Sequence, residues 1–147
     1  MTQDNAGRYW IATWGSGIWR FDPGSETKEE MFHRQSIINP IRHFPEQVFY
    51  DIVQDDAYGY IWALSHFRLY VFRINEQNEL EEVDIHTIKD INQPIDQAKT
   101  YSRVIKDNSG NLWLGAYDQG YTIAFEKAEI LNYTMENMKQ KLGLDAN

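Results

Sequence analysis

Three short segments of this 147-residue chain join a flat or cationic side chain to hydrogen-bonding neighbours: Trp14-Gly15-Ser16, Ser65-His66-Phe67-Arg68 and Tyr117-Asp118-Gln119. Sugars are held by this combination. An aromatic plane packs against ring C–H groups, and planar polar side chains take the hydroxyls. Trp14, His66, Arg68, Tyr117 and Asp118 are therefore the candidate ligand contacts, with a carbohydrate as the favoured ligand class. The plainer alternative is that Trp14 and Tyr117 pack a surface while Arg68 and Asp118 are solvated.

Other chemistry finds little support. His33, His43, His66 and His86 form no His-x-x-x-His or Glu-x-x-His pair, so no metal site is expected. Asp107-Asn108-Ser109-Gly110-Asn111 lacks the further spaced acids and terminal Glu of a calcium loop and reads as a β-turn. Trp14 stands where a nucleophile elbow needs its first Gly, and no Lys or helix follows Gly17 as a phosphate loop requires. Glu26, Glu29, Glu30, Glu79, Glu81 and Glu82 read as solvated faces, and Asn132-Tyr133-Thr134 is a formal glycosylation sequon. No catalytic residue and no cofactor is expected.

Composition narrows the partners. There are 14 basic and 22 acidic residues, a net charge of −8, and no basic run, which disfavours nucleic acid. The absence of cysteine excludes disulfides and thiolate chemistry. No apolar stretch reaches the roughly 18 residues of a membrane helix, and Met1-Thr2-Gln3-Asp4-Asn5 is not a signal-peptide apolar segment. Direct membrane insertion is therefore not expected. Apolar content of 42% with 14% aromatic residues is ample for a packed core.

The elements that would carry these residues come from a repeat. Asp4-Asn5-Ala6-Gly7-Arg8-Tyr9-Trp10 aligns with Asp56-Ala57-Tyr58-Gly59-Tyr60-Ile61-Trp62 and with Asp107-Asn108-Ser109-Gly110-Asn111-Leu112-Trp113, at steps of 52 and 51 residues. Asp-x-x-Gly is turn chemistry: the carboxylate accepts from nearby amides and Gly supplies positive φ. A Trp-centred strand follows. Seven residues after each Trp stands Gly17, Leu69 or Gly120, closing a hairpin onto an aromatic strand such as Ile18-Trp19-Arg20-Phe21. Further strands are expected at Glu29–Arg34, Leu80–Ile88 and Glu129–Thr134, and before the later turns at Val48–Gln54 and Tyr101–Lys106.

Tyr9-Trp10-Ile11-Ala12 and Leu112-Trp113-Leu114-Gly115-Ala116 are apolar on both pleat faces, so their sheets must be covered on both sides. The expected fold is all-β, a partial β-propeller of three four-stranded antiparallel blades, with a two-sheet sandwich as the alternative. The blades are expected at residues 1–47, 48–99 and 100–147, the first lacking most of its first strand. Three blades do not close a ring of four to eight. A longer parent chain, or a second copy completing six blades, is expected to cover the outer faces.

Asp107 to Gly115, with its hairpin Gly and aromatic strand, resembles the two-component regulator propeller repeat. The resemblance implies a periplasmic sensor segment of a bacterial hybrid two-component system, with kinase and regulator parts elsewhere. In propellers the loops carrying the candidate contacts share one rim near the central channel. The second copy departs from the pattern, with Ala63-Leu64-Ser65 after its Trp and Arg68 near the expected hairpin Gly, so that hairpin must adopt another turn or accept strain. The favoured function is non-catalytic ligand sensing, of an oligosaccharide, or a contribution to dimerisation. A protein-interaction scaffold and a propeller lyase or lactonase are the alternatives. WD-repeat signatures do not recur, and the metal-binding residues of propeller enzymes have no recurring place here.

Overall fold

The computed structural model describes residues 1–35, 47–65, 68–89, 91, 95–97, 101–116 and 120–125, with residues 121–123 and 125 described by backbone alone. The strands form three antiparallel meanders. The first contains β1 (Thr2–Gln3), β2 (Tyr9–Ala12), β3 (Ile18–Phe21) and β4 (Phe32–Arg34), in that spatial order. The second contains β5 (Phe49–Gln54), β6 (Ile61–Ser65), β7 (Leu69–Ile74) and β8 (Leu80–Glu82). The third contains β9 (Tyr101–Lys106), β10 (Leu112–Ala116) and β11 (Gly120–Phe125). The fourth strand expected at Glu129–Thr134 lies outside the described residues. No helix among the described residues is long and apolar enough to cross a membrane.

Two expected strands are shorter than the sequence suggested. Glu29–Arg34 divides into one helical turn, α1 (Lys28–Met31), and β4. Thr27 caps that turn by accepting the Glu30 amide on Oγ1 at 3.2 Å. Thr27-Lys28-Glu29-Glu30 is a Thr-x-x-Glu helix start, which overrides strand formation there. Leu80–Ile88 keeps only Leu80–Glu82 as strand, because Asp84 caps a 3-10 turn at Ile85–Thr87 with its carboxylate on the His86 amide (3.0 Å).

Alternation along the strands gives the middle sheet two buried faces. Ile61, Ala63, Tyr70 and Phe72 pack with Trp10 and Ile18 of the first sheet. Trp62, Leu64, Leu69 and Val71 point the opposite way, onto Val104, Leu112 and Leu114 of the third. Each of these eight middle-sheet side chains is at most 3% exposed. The period of two sends neighbours along one strand into different cores. The first strands also lie beside one another, β1 against β5 and β5 against β9. Between the sheets, Gln54 N–H donates to Thr2 Oγ1 (3.2 Å) and Val104 N–H to Asp51 Oδ2 (2.8 Å). The Tyr50 hydroxyl donates to the Tyr101 carbonyl, and Arg20 Nη1 to the Asn78 carbonyl.

At the turn end of each sheet, one Asp carboxylate fastens the turn to the Trp. Asp4 Oδ1 accepts from the amides of Ala6 (2.9 Å) and Arg8 (3.0 Å), and Oδ2 accepts from Trp10 Nε1 (2.8 Å). Asp107 Oδ1 accepts from Ser109 (2.9 Å) and Asn111 (3.0 Å), and Oδ2 from Trp113 Nε1 (2.9 Å). In the middle sheet the clamp belongs to Asp55 and not to Asp56, which corrects the alignment read from sequence. Asp55 Oδ1 accepts from Tyr58 (2.7 Å) and Gly59 (3.0 Å), and Oδ2 from Trp62 Nε1 (2.7 Å). The Asp-to-Trp separation is thus six, seven and six residues. Asp56 instead pairs with Lys106 Nζ at 2.9 Å.

The clamps make stability acid-sensitive. The Trp113 indole N–H, aided by Asn111 and Ser109, lowers the Asp107 carboxyl to about 2. Burial of Asp4 opposes its ionisation, but the bonds from Trp10 and Arg8 outweigh it and the net shift is downward. Both folded values lie below the unfolded carboxylate value of about 3.9. Their contribution is therefore present above roughly pH 4 and is lost as pH falls through the lowered folded values, about 2 for Asp107. Urea midpoints should fall steeply across that window, and Asp107→Asn should flatten the fall. An unchanged acid profile in Asp107→Asn would remove this carboxylate from the account.

Candidate functional site

The hairpin tips lie at the opposite end of the strands from the clamps. Between β2 and β3, the amide and Oγ1 of Thr13 both donate to the Gly17 carbonyl (3.1 and 2.7 Å), and Oγ1 accepts from the Ser16 amide (3.0 Å). Gly15 at φ 116° and Gly17 at φ 73° occupy the left-handed region that this tight loop requires. Their two amides converge on one carbonyl, that of Gln47, at 3.0 and 2.8 Å. Phe49 N–H donates back to the Thr13 carbonyl (2.8 Å), and Trp14 makes an antiparallel bridge with Val48. The loop is thereby tied to the strand entering the next sheet. From it the Trp14 side chain projects outward, with the residue 77% exposed. A large aromatic plane is thus offered to solvent on an ordered backbone.

Arg68 lies at the same hairpin end of the middle sheet, where Gly17 stands in the first, with a different environment. Its guanidinium lies 4.7 Å from the centre of the Tyr70 ring, and Nη2 meets Glu82 Oε1 at 3.3 Å. Only 12% of its side chain is exposed, and its buried Nε has no hydrogen-bond partner among the described residues. Arg68 is therefore a brace behind the rim more than an open hand. Tyr70 also faces Phe49 at 5.7 Å, so Val48, Phe49 and Tyr70 connect the Trp14 loop to Arg68. The two residues share one end of adjacent sheets. His66, Tyr117 and Asp118 lie outside the described residues.

The second hairpin meets its missing glycine with another turn. Ser65 N–H donates to the Arg68 carbonyl at 2.9 Å, and Ser65 Oγ exchanges bonds with the Arg68 amide and carbonyl, each at 3.0 Å. Closure joins residues three apart, where Thr13 and Gly17 are four apart. Among the described non-glycine residues only Asn78 has positive φ, so Ser65 and Arg68, which close this turn, stay out of the left-handed region. Sequence reasoning missed the Gln47 tie and the Glu82 partner, since both depend on distant strands. The Tyr70 contact was legible, because residues two apart on a strand share a face. Among the described residues, no group of three or more His, Cys, Asp or Glu is placed to hold a metal.

No protein-family model matches the sequence, and no curated protein matches it. Among solved structures, the chain is similar to the extracellular domain of a protein described as a one-component system, from B. thetaiotaomicron. The TM-score is 0.54 at 21% identity, over 82% of this chain and 16% of that one. The chain thus spans a small part of that protein's length. At this identity the likeness is one of fold: three antiparallel sheets in an all-β arrangement, which extends over most of the chain.

Proposed function

We propose that this chain is a non-catalytic, ligand-sensing segment of an extracytoplasmic β-propeller, and that the rim bearing Trp14 binds an oligosaccharide. The observation that carries the ligand class is the Trp14 plane, 77% exposed on a loop fastened by paired amides to Gln47. Because the loop backbone is already held in place, binding has only the side chain left to order. The propeller reading is supported by the consecutive meanders, the adjacency of β1, β5 and β9 as inner strands, and the middle sheet covered on both faces. In this reading the units divide near residues 48 and 100. The sensing role and a periplasmic or extracellular setting draw support from the repeat resemblance and from the fold neighbour.

A glycan array followed by titration with Trp fluorescence tests the site. Trp14→Ala should weaken binding of any captured oligosaccharide at least tenfold, about 1.4 kcal/mol. Its folding stability should stay within about 0.5 kcal/mol, as for other exposed side chains. Trp14→Tyr should restore part of the affinity. Equal binding by the wild type and Trp14→Ala would remove this rim as the site.

A further inference from the structure

The Trp14 loop belongs to the first sheet but is seated on the second. Its hydrogen bonds run to the Gln47 carbonyl and from the Phe49 amide, and the bridge from Trp14 to Val48 lies between them. These three residues lead into β5 of the middle sheet. Trp19 shares the assembly, since its Nε1 donates to the Ser16 carbonyl at 3.1 Å. Whatever holds the entry to β5 in place therefore also sets where the Trp14 plane points.

Phe49 anchors that entry. Its side chain is fully buried and faces the Tyr70 ring at 5.7 Å. Tyr70 is confined in turn. Phe72 stacks on it at 5.6 Å with the planes 5° apart, and the Arg68 guanidinium lies over the ring at 4.7 Å. Phe49, Tyr70 and Phe72 are all buried, so Arg68 is the polar end of an otherwise apolar row.

Arg68 springs from a fixed backbone. Ser65 Oγ accepts its amide and donates to its carbonyl, each at 3.0 Å. The next residue, Leu69, exchanges bonds with Gln97: its amide donates to the Gln97 carbonyl (3.0 Å) and its carbonyl accepts from Gln97 Nε2 (3.1 Å). At the far end of the side chain, Nη2 meets Glu82 of β8 at 3.3 Å. A side chain tethered at both ends is a stop. A close-packed aromatic row transmits a displacement instead of absorbing it.

We propose that Arg68 is a positioning residue for the Trp14 platform, acting across the sheet boundary through Tyr70 and Phe49. The flat cation holds the Tyr70 ring, Tyr70 fixes Phe49, and Phe49 fixes the strand entry on which the Trp14 loop sits. The consequence for recognition rests on the oligosaccharide reading of that rim; the ordering of the loop does not. Arg68 governs affinity without touching the ligand.

Fluorine NMR of the chain labelled with 5-fluorotryptophan reads its five indoles separately. Trp14→Phe and Trp19→Phe assign the two loop signals. Arg68→Met should shift and broaden both. The signals of Trp62 and Trp113, fastened to their carboxylates at the opposite end of the strands, should stay in place. Arg68→Lys keeps the charge beside Glu82 but not the flat group over Tyr70. It should give the same shift to a lesser degree, and it carries the test if Arg68→Met does not fold. With a glycan captured by the wild type, Arg68→Met should weaken binding roughly two- to thirtyfold. In a Trp14→Ala background the same substitution should change affinity by less than about twofold, because nothing is left to position. Unmoved Trp14 and Trp19 signals overturn the proposal, as does equal movement of Trp62 and Trp113, which marks general loosening. Full additivity of the Trp14 and Arg68 losses also overturns it, since independent losses identify Arg68 as a direct contact. Loop signals that shift in a chain capturing no glycan uphold the positioning role and remove the oligosaccharide reading, so the two fail separately.

Discussion

Trp62→Ala is expected to destabilise the chain by about 3–5 kcal/mol, a large share of the roughly 5–15 kcal/mol that holds a typical domain together. Trp62 is 0% exposed and belongs to the core between the middle and third sheets. Its removal leaves a large cavity there, which flanking strands can only partly fill. It also deprives Asp55 Oδ2 of the indole donor at 2.7 Å, in a residue only 2% exposed. Trp62→Phe separates these effects, since the ring remains and the donor goes. That variant should lose about 1–3 kcal/mol, the cost of an unpaired buried polar group. Urea unfolding followed by far-UV circular dichroism measures both. A Trp62→Ala loss under about 1 kcal/mol, well short of the usual cost of deleting a buried aromatic side chain, would show that the middle sheet is not clasped from both sides.

Asp55→Ala is the second large effect and also tests which carboxylate forms the clamp. The substitution strands three donors: the Tyr58 and Gly59 amides and Trp62 Nε1. Only the indole bond is buried, and water can reach the part-buried turn amides, so a loss of about 1–3 kcal/mol is expected. Asp55→Asn should recover part of this, because its carbonyl oxygen can still accept from the turn while its NH₂ opposes the indole N–H. Asp56→Ala, by contrast, should cost under about 1 kcal/mol, since it breaks only a surface pair with Lys106. If Asp56→Ala proved the more damaging of the two, the seven-residue clamp would be wrong.

Much of the fold was legible because the signals are local. Asp-x-x-Gly turns, hairpin glycines and strands apolar on both faces each announce themselves within ten residues; two-sided burial is found in the middle sheet, whereas Tyr9, Ile11 and Trp113, in the strands from which it was expected, are only partly buried. The errors came where neighbouring residues offer equivalent chemistry. Asp55 and Asp56 are both able to cap a turn, and only the position of the Trp62 indole distinguishes them. Thr27 and Asp84 redirected expected strands through single side-chain caps, a competition that hydrophobic patterning does not register. At the rim, the sequence indicated residue types but not their setting. Trp14 is open to solvent, whereas Arg68 is drawn onto Tyr70 and Glu82, a partner fourteen residues away on another strand.

Placing the clamps at one end of the strands divides each unit into a constant half and a variable half. Register is fixed by a carboxylate and an indole, not by a count of residues, so the clamp end absorbs the extra residue before Trp62 without displacing the sheet. The distant hairpin tips inherit that security. One closes across four residues and its neighbour across three, yet both lead into strands paired in regular register. Loop length and composition at that end can therefore drift between repeats while the framework stays fixed, as recognition loops do on an immunoglobulin sandwich. Selection can exchange the side chains presented at the hairpin tips one tip at a time, with little penalty to folding.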